Sequence, residues 1–206
     1  INNPLFVISG RTDMMLSVKP LGKKLKESLK IINAQIEQIR KLIDSFLCFT
    51  RKTPPNTEAV DLNKVIKNVL PFLSYHKLPV KEIKVKKLFA KGLPKIKGDS
   101  HQLQEVFLNL LINAYQAMPE GGVLTIKTSN ISDEWALVEI SDTGCGITPE
   151  GLKNIFMPFF STKKEGTGLG LSISYNIVKN HNGSIVVESQ VGKGTIFTLK
   201  FPFIKK

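Results

Sequence analysis

The 206-residue chain has 42% hydrophobic and 22% charged residues, which is typical of a folded globular protein with one large or two small domains. No apolar run is as long as a membrane span and the start is not a signal peptide, so we expect a cytoplasmic chain without direct membrane contact, leaving open a membrane anchor in a parent protein. The formal charge of +12 suits nucleic-acid binding, but the lysines are spread over several segments without interleaved aromatic residues, so no nucleic-acid partner is expected.

The N-terminal part of the chain, residues 1–52, carries helical periodicity. Apolar residues step by four and three alternately along a heptad seam made of Leu25, Leu29, Ile32, Ile36, Ile39, Ile43 and Phe46. A shorter seam, formed by Leu5, Ile8, Thr12 and Met15, precedes a Pro20 and Gly22 turn, so an αα-hairpin is predicted. Two helices cannot enclose a core alone, which favours two copies pairing into a four-helix bundle; packing on the chain's own C-terminal domain is the alternative.

Pro54 and Pro55 block helix continuation, so residues 53–60 are predicted to be a linker. Beyond it, residues 61–206 mix helical and strand periods. Helices are expected at 61–73, 100–118 and 171–180, and strands at 83–89, 123–128, 136–141, 184–189 and 195–201. Helices on one face of a mainly antiparallel sheet predict an α/β sandwich, and the fold class is α+β.

Two asparagines form the first of three polar clusters in this second part. Asn109 and Asn113 lie four residues apart on the predicted helix 100–118, and therefore on one face. Amides at the edge of a buried helix need partners, and Mg²⁺ bound to phosphates accepts a neutral carbonyl oxygen. An asparagine pair bonded to neighbouring backbone is the alternative.

The second cluster is Asp142-Thr-Gly144-Cys-Gly146, at the end of a predicted strand. A carboxylate there needs a strong hydrogen-bond donor, such as the exocyclic amine of adenine, whereas guanine would present a carbonyl. The glycines let the backbone approach the ring without a Cβ clash. A plain Asp-x-Gly turn is the alternative.

The third cluster, Gly166-Thr-Gly168-Leu-Gly170, directly precedes the predicted helix 171–180, whose free N–H groups suit phosphate oxygens. Its spacing matches neither the dinucleotide-binding nor the P-loop pattern. Upstream, phenylalanines at 156–160 precede a polar stretch that ends in glycine. This composition suits a glycine-hinged lid with Lys163 near phosphate, and a buried aromatic cluster beside a mobile loop is a compatible alternative.

In chain order, the three clusters and the phenylalanine segment 156–160 resemble the N, G1, F and G2 boxes of the sensor histidine kinases of two-component systems, which belong to the GHKL ATPase superfamily. The matching residues are 109–114, 142–147, 156–160 and 166–171. The resemblance covers the whole chain. It implies a HisKA-type dimerisation and histidine-phosphotransfer hairpin at 1–52 and a GHKL-type ATP-binding domain at 61–206.

The resemblance also implies a site for ATP and Mg²⁺. Asn113 would ligate the metal, Asn109 and Lys163 would assist catalysis and contact the nucleotide, and Asp142 would bind adenine with support from the Thr195 hydroxyl through a water. The other residues implied for the nucleotide pocket are Gly144, Gly146, Ile147, Gly166, Thr167, Gly168, Leu169, Gly170 and Leu171.

Asn109 marks a difference from hydrolytic relatives, in which a glutamate at this position activates water. An amide cannot act as that base, so the resemblance implies γ-phosphoryl transfer to a histidine and then to an aspartate of a response regulator. A GHKL ATPase, or a nucleotide-binding scaffold without kinase activity, is the alternative.

The start of the chain resembles the acceptor-helix pattern His-Glu-x-x-Asn/Thr-Pro-Leu. Aligned on Pro4-Leu5, Ile1 falls two positions after the acceptor histidine, so we expect these 206 residues alone not to autophosphorylate. Asn3 would position water against the regulator's phosphoaspartate and give phosphatase activity, unless it merely precedes a helical proline. The implied partners are a second copy, through residues 1–52, and a receiver domain.

Overall fold

The computed structural model describes residues 2–17, 22–50, 56–75, 82–132, 134–163 and 167–204. The chain forms two compact units, Ile1–Lys52 and Thr53–Lys206, which are considered one at a time. Within the described ranges, no helix is both long and apolar enough to cross a bilayer.

The first unit is a pair of packed helices, α1 (Asn2–Ser17) and α2 (Lys23–Thr50). The turn predicted at 18–22 falls mostly on residues 18–21, which lie outside the described residues. The heptad seam of α2 divides into two sets: Leu29 and Ile36, seven residues apart, are buried, whereas Leu25, Ile32 and Ile39, also at intervals of seven, are between 42% and 54% exposed. Of the five seam residues whose side chains the structure describes, two therefore pack inside the hairpin and three stay partly exposed in this unit.

A polar contact joins the two helices inside the hairpin. Thr12, a member of the predicted α1 seam, is buried, and its hydroxyl oxygen lies within hydrogen-bond distance of Asn33 Oδ1 and of the Ile8 and Ser9 carbonyls. Asn33 in turn donates from Nδ2 to Asp13 Oδ1 at 2.7 Å. This short polar chain replaces an apolar contact at one level of the hairpin.

The second unit is a two-layer α/β sandwich, so the predicted α+β class is confirmed. Its elements in chain order are β1 (Glu58–Val60), α3 (Leu62–Tyr75), β2 (Ile83–Leu88), β3 (Ile96–Gly98), α4 (Ser100–Ala117), β4 (Gly122–Ser132), β5 (Trp135–Asp142), α5 (Pro149–Asn154), α6 (Gly170–Asn180), β6 (Ser184–Gln190) and β7 (Gly194–Pro202). Five strands form one sheet in the order β2-β4-β5-β7-β6. β2 runs parallel to β4, and all other neighbours in this sheet are antiparallel.

β1 lies in the last three residues of the predicted linker 53–60. It pairs antiparallel with β3, and the paired residues Val60 and Ile96 are both buried. Residues 58–60 therefore belong to the sandwich and not to a linker. A three-residue strand is too short to show alternation, so neither β1 nor β3 stands out in the sequence.

α4 is the central helix of the second layer. It packs against α3 and α6 and against strands β5 and β7. Asp99 caps its N-terminus by accepting the N–H groups of His101 at 2.9 Å and Gln102 at 3.2 Å. Its buried side chains are Leu103, Val106, Phe107, Leu110, Leu111 and Ala114. Since burial of one large apolar side chain is worth about 1.5–3 kcal/mol, α4 is held firmly, and the polar residues at its edge have fixed positions.

Candidate nucleotide site

Asp142 continues the inward-facing row of strand β5. Alternation buries Ala136, Val138 and Ile140, and the next inward position is Asp142, which is only 5% exposed. Its Oδ1 accepts the N–H of Gly144 at 2.9 Å. The strand thus delivers a carboxylate to the layer between sheet and helices, just where the chain turns away.

The buried position alters the ionisation of Asp142. Burial raises the pKa of this carboxyl above its ordinary value, while hydrogen bonds from the backbone N–H groups of Gly144 and Thr195 and the charge of Lys163 act against the rise. The carboxylate is therefore costly to ionise without a further donor. An amine on a bound ring would supply one.

Thr195 lies beside Asp142 on the neighbouring strand. The β5–β7 register pairs these two residues, and both side chains are buried. The Thr195 hydroxyl is 2.9 Å from Ser189 Oγ, which also donates to the Gly194 carbonyl at 2.8 Å and accepts from the N–H of Ile147 at 2.8 Å. Support of Asp142 by the Thr195 hydroxyl stays a prediction. Ser189 was not predicted, because only the β6–β7 pairing brings it here.

Two glycines of the second cluster permit close backbone packing. A Cβ on Gly144 would meet the Ala117 carbonyl oxygen at 2.4 Å, at the end of α4. Gly146 has φ +71°, and a Cβ there would lie 2.2 Å from the Gln190 carbonyl oxygen. The turn after Asp142 is therefore pressed between α4 and the β6–β7 turn, and side chains at these two positions would force it outward.

The third cluster of the candidate site ends at the N-terminus of α6. Leu169 is fully buried, no side chain caps the first turn, and the Leu169 N–H lies 3.4 Å from Thr167 Oγ1. Gly168 has φ +69°, and a Cβ there would meet backbone atoms of Phe159 at 2.4 Å. Leu171 stands half-buried in the first turn, whereas Gly166 lies outside the described residues. The uncapped helix start is suited to anion oxygens.

The two asparagines of α4 make different contacts. Asn109 donates from Nδ2 to the Gly170 carbonyl at 3.3 Å and lies 3.5 Å from Ser174 Oγ, so it links α4 to the start of α6. Asn113 faces Lys163, whose Nζ donates to Asn113 Oδ1 at 3.0 Å. The structure therefore brings the first and third clusters together along one face of α4.

Lys163 has a second acceptor, Gln116 Oε1, at 2.6 Å. Much of the lysine is exposed, but its ammonium lies against α4, and this burial lowers its pKa below the ordinary lysine value, while the charges of Cys145 and Asp142 oppose the fall. Gln116 was not among the predicted site residues. Its spacing of three from Asn113 was the available signal, because residues three apart share a helix face.

Asn3 is the one predicted site residue of the first unit. It lies in α1, but the structure does not describe its side chain. Its role stays a prediction.

Comparison of the sequence with known protein families identifies the family of this chain. Residues 98–205, more than half of the chain, match the family of histidine kinase-, DNA gyrase B- and HSP90-like ATPases, and residues 1–55 match the His Kinase A phospho-acceptor domain. The chain belongs to the histidine kinase family. The match to both domains in this order confirms the resemblance drawn from the four boxes.

One relative supports the same family for this histidine kinase chain, and two solved structures share its fold. The sensor histidine kinase ZraS of Escherichia coli strain K12 is 35% identical over 98% of the chain, which covers 43% of that protein. ShkA, solved in complex with AMPPNP, has a TM-score of 0.82 at 22% identity over 99% of the chain and 44% of its own. ThkA, solved with the response regulator TrrA, has a TM-score of 0.73 at 23% identity over 98% of the chain and 58% of its own. The chain thus spans less than half the length of ZraS.

Proposed function

We propose that this histidine kinase chain binds ATP with Mg²⁺ and supplies the γ-phosphoryl group for transfer to a histidine. The observation that carries the proposal is the buried carboxylate of Asp142 at the end of β5, in a domain where Asn109 of α4 contacts the uncapped start of α6. The family match and the solved complex of ShkA with AMPPNP support it.

Asp142 would recognise adenine. Its carboxylate accepts the backbone N–H groups of Gly144 and Thr195, and burial still raises its pKa. The exocyclic amine of adenine would add a donor in a buried setting, where such bonds discriminate strongly. Gly144 and Gly146 keep the neighbouring backbone close enough to border the ring.

The phosphate end would lie along α4 and the start of α6. Asn113 Oδ1 faces a cation in this structure, the ammonium of Lys163, which shows that this oxygen is directed at positive charge. A neutral amide oxygen together with phosphate oxygens and water is a ligand set that Mg²⁺ accepts, so Asn113 fits the metal. When bound, the metal would neutralise charge on the phosphates; Lys163 and the N–H groups of α6 would orient them.

Asn109 would position the phosphates without activating water. Its Nδ2 is directed to Gly170 and Ser174, so the side chain holds α6 against α4, and an amide offers no general base. Transfer would then proceed to a histidine, and from there to an aspartate of a response regulator. The complex of ThkA with TrrA supports such a partner, and Asn3 would serve the reverse, phosphatase reaction.

The hairpin would form a four-helix bundle with a second copy. The exposed half of the α2 seam, Leu25, Ile32 and Ile39, repeats every seven residues, which is the spacing that a partner helix covers. The match to the phospho-acceptor domain supports this dimer.

Calorimetry of the chain with a non-hydrolysable ATP analogue and Mg²⁺ tests the proposal. We expect heat of binding, and Asp142→Asn should weaken it at least about tenfold, since a hydrogen bond to a charged group is lost. Asp61→Asn is the matched control, because Asp61 is exposed and asparagine caps a helix equally well. An absence of binding, or equal affinity in both variants, would contradict the proposal. Transfer itself is tested with a chain that carries His-Glu ahead of Ile1, which should yield acid-labile, base-stable phosphate from labelled ATP.

A further inference from the structure

Helix α4 presents two amide oxygens to one ammonium group. Asn113 and Gln116 lie three residues apart and share a face of the helix. Lys163 Nζ donates to Asn113 Oδ1 at 3.0 Å and to Gln116 Oε1 at 2.6 Å. Both acceptors are neutral, so these two contacts hold the ammonium in place without cancelling its charge.

The proposed function gives the two acceptor oxygens of Lys163 different roles. The oxygen of Asn113 is the proposed ligand of Mg²⁺, and an oxygen that faced a dication and an ammonium together would bring two positive charges close to each other. The oxygen of Gln116 is not a proposed ligand of the metal. It is also the nearer of the two acceptors to Lys163.

We propose that Gln116 is the positioning residue that keeps the Lys163 ammonium at the phosphate end of the site when the oxygen of Asn113 turns to the metal. This inference rests on the proposed function and assigns it one more residue. An ammonium has three donors, so one bond to Gln116 leaves two for phosphate oxygens. A lysine is a point charge on a flexible stem, and without the glutamine oxygen its position would be less restricted.

The first experiment needs no nucleotide. The unliganded chain is treated with limiting acetylating reagent, and modification of each lysine is followed by mass spectrometry. Gln116→Leu should raise the rate at Lys163 several-fold and leave the other lysines unchanged. Gln116 is exposed, so the substitution does not touch the core, and Gln104→Leu on the same helix is the matched control. An unchanged rate at Lys163 would overturn the positioning role.

The second experiment measures affinity for the ATP analogue with Mg²⁺ by calorimetry. Gln116→Leu should weaken binding roughly tenfold, the usual size for a lost hydrogen bond to a charged group, and should add nothing in a Lys163→Met background. Equal weakening in both backgrounds would overturn the proposal, because Gln116 would then act independently of Lys163.

The two measurements separate this proposal from the proposed function. Unchanged labelling together with normal nucleotide binding would overturn the role of Gln116 and leave the function intact. Faster labelling in a chain that binds no analogue would overturn the function, and with it the phosphate part of this proposal.

Discussion

Asp142, a residue of the proposed nucleotide site, occupies a position that costs the fold stability. Alternation along β5 places it on the inner face, where three apolar residues precede it, and burial raises its pKa. A carboxyl whose pKa is raised on folding stabilises the fold below the ordinary carboxyl pKa, and this contribution is lost as the pH rises through the raised value. At neutral pH the unliganded domain therefore bears a cost that a ligand amine can offset.

The first prediction concerns this pH dependence. Relative to the wild-type chain, Asp142→Asn should gain stability as the pH is raised from 4 to 8, whatever constant offset the altered hydrogen bonds introduce. Denaturant unfolding of both chains across this range measures the difference. A parallel pH dependence of the two chains would contradict the explanation.

Comparison of Gly146 with Gly192 distinguishes two destabilising effects of replacing a glycine in this region, backbone strain and steric clash. Both have positive φ, +71° and +76°, but a Cβ on Gly146 would meet Gln190 backbone at 2.2 Å, whereas nothing lies within 4 Å at Gly192. Gly192→Ala should cost about 1–2 kcal/mol from the left-handed conformation alone. Gly146→Ala should cost clearly more, because backbone must also move. Equal losses of unfolding free energy in the two variants would contradict this, because the backbone around residue 146 would then move at no cost.

At the scale of elements, His181 joins the end of α6 to the start of α4. Its Nδ1 lies 2.7 Å from the Ile177 carbonyl, and its Nε2 accepts the Asp99 N–H at 2.9 Å, which requires the proton on Nδ1. Asp99 in turn caps α4 and accepts the Asn56 N–H at 3.1 Å through Oδ2. One buried imidazole therefore fixes both helices that border the proposed nucleotide site.

The prediction for this contact uses the two described histidines. His181→Phe should lower the unfolding free energy of the second unit by about 1–3 kcal/mol, because it leaves the partly buried Asp99 N–H without its acceptor and removes one of the two donors to the Ile177 carbonyl. His101 is exposed in the first turn of α4, and His101→Phe should change stability by less than about 0.5 kcal/mol. Thermal unfolding of each variant is the measurement. A loss at His101 as large as that at His181 would count against this account.

The long elements could be predicted from the sequence because each repeats its pattern several times. α4, with its asparagines on one face, and the four longer antiparallel strands appear where the periodicity placed them. α5 was missed although Thr148 caps it and Pro149 opens it, since its six residues show no apolar period. These start signals were readable. The strands β1 and β3, three residues each, carried no comparable signal.

The residues of the proposed site could be named from the sequence, but the contacts between them could not. The motif order identified Asn113 and Lys163, yet no pattern of spacing shows that they meet across fifty residues of chain. Gln116 and Ser189 likewise make contacts between residues of different elements, so motif analysis passed over them. Residue type and spacing report what chemistry is available, and tertiary packing decides which groups combine.

At the scale of the whole molecule, the division of the α2 seam leads to a prediction on assembly. Ile32→Glu places a charge in the exposed set and should dissociate the proposed dimer, because it replaces an apolar side chain whose full burial is worth about 1.5–3 kcal/mol in each copy. Gln35→Glu adds the same charge at an exposed polar position of α2 and should leave the dimer intact. Sedimentation of both variants decides, and a monomeric wild-type chain would overturn the bundle.

The interior position of β7 in the five-stranded sheet has a consequence for how the domain folds. Among the described strands β7 comes last in the chain, yet it lies between β5 and β6 in the sheet. It places Thr195 beside Asp142. Until β7 has been synthesised, the edge of β5 that pairs with β7 therefore stays unpaired. Unpaired strand edges of this kind promote aggregation. A nucleotide held through this pair can stabilise only the completed domain. ATP would then act on newly made chains as a late ligand, one that favours finished molecules over partly folded ones.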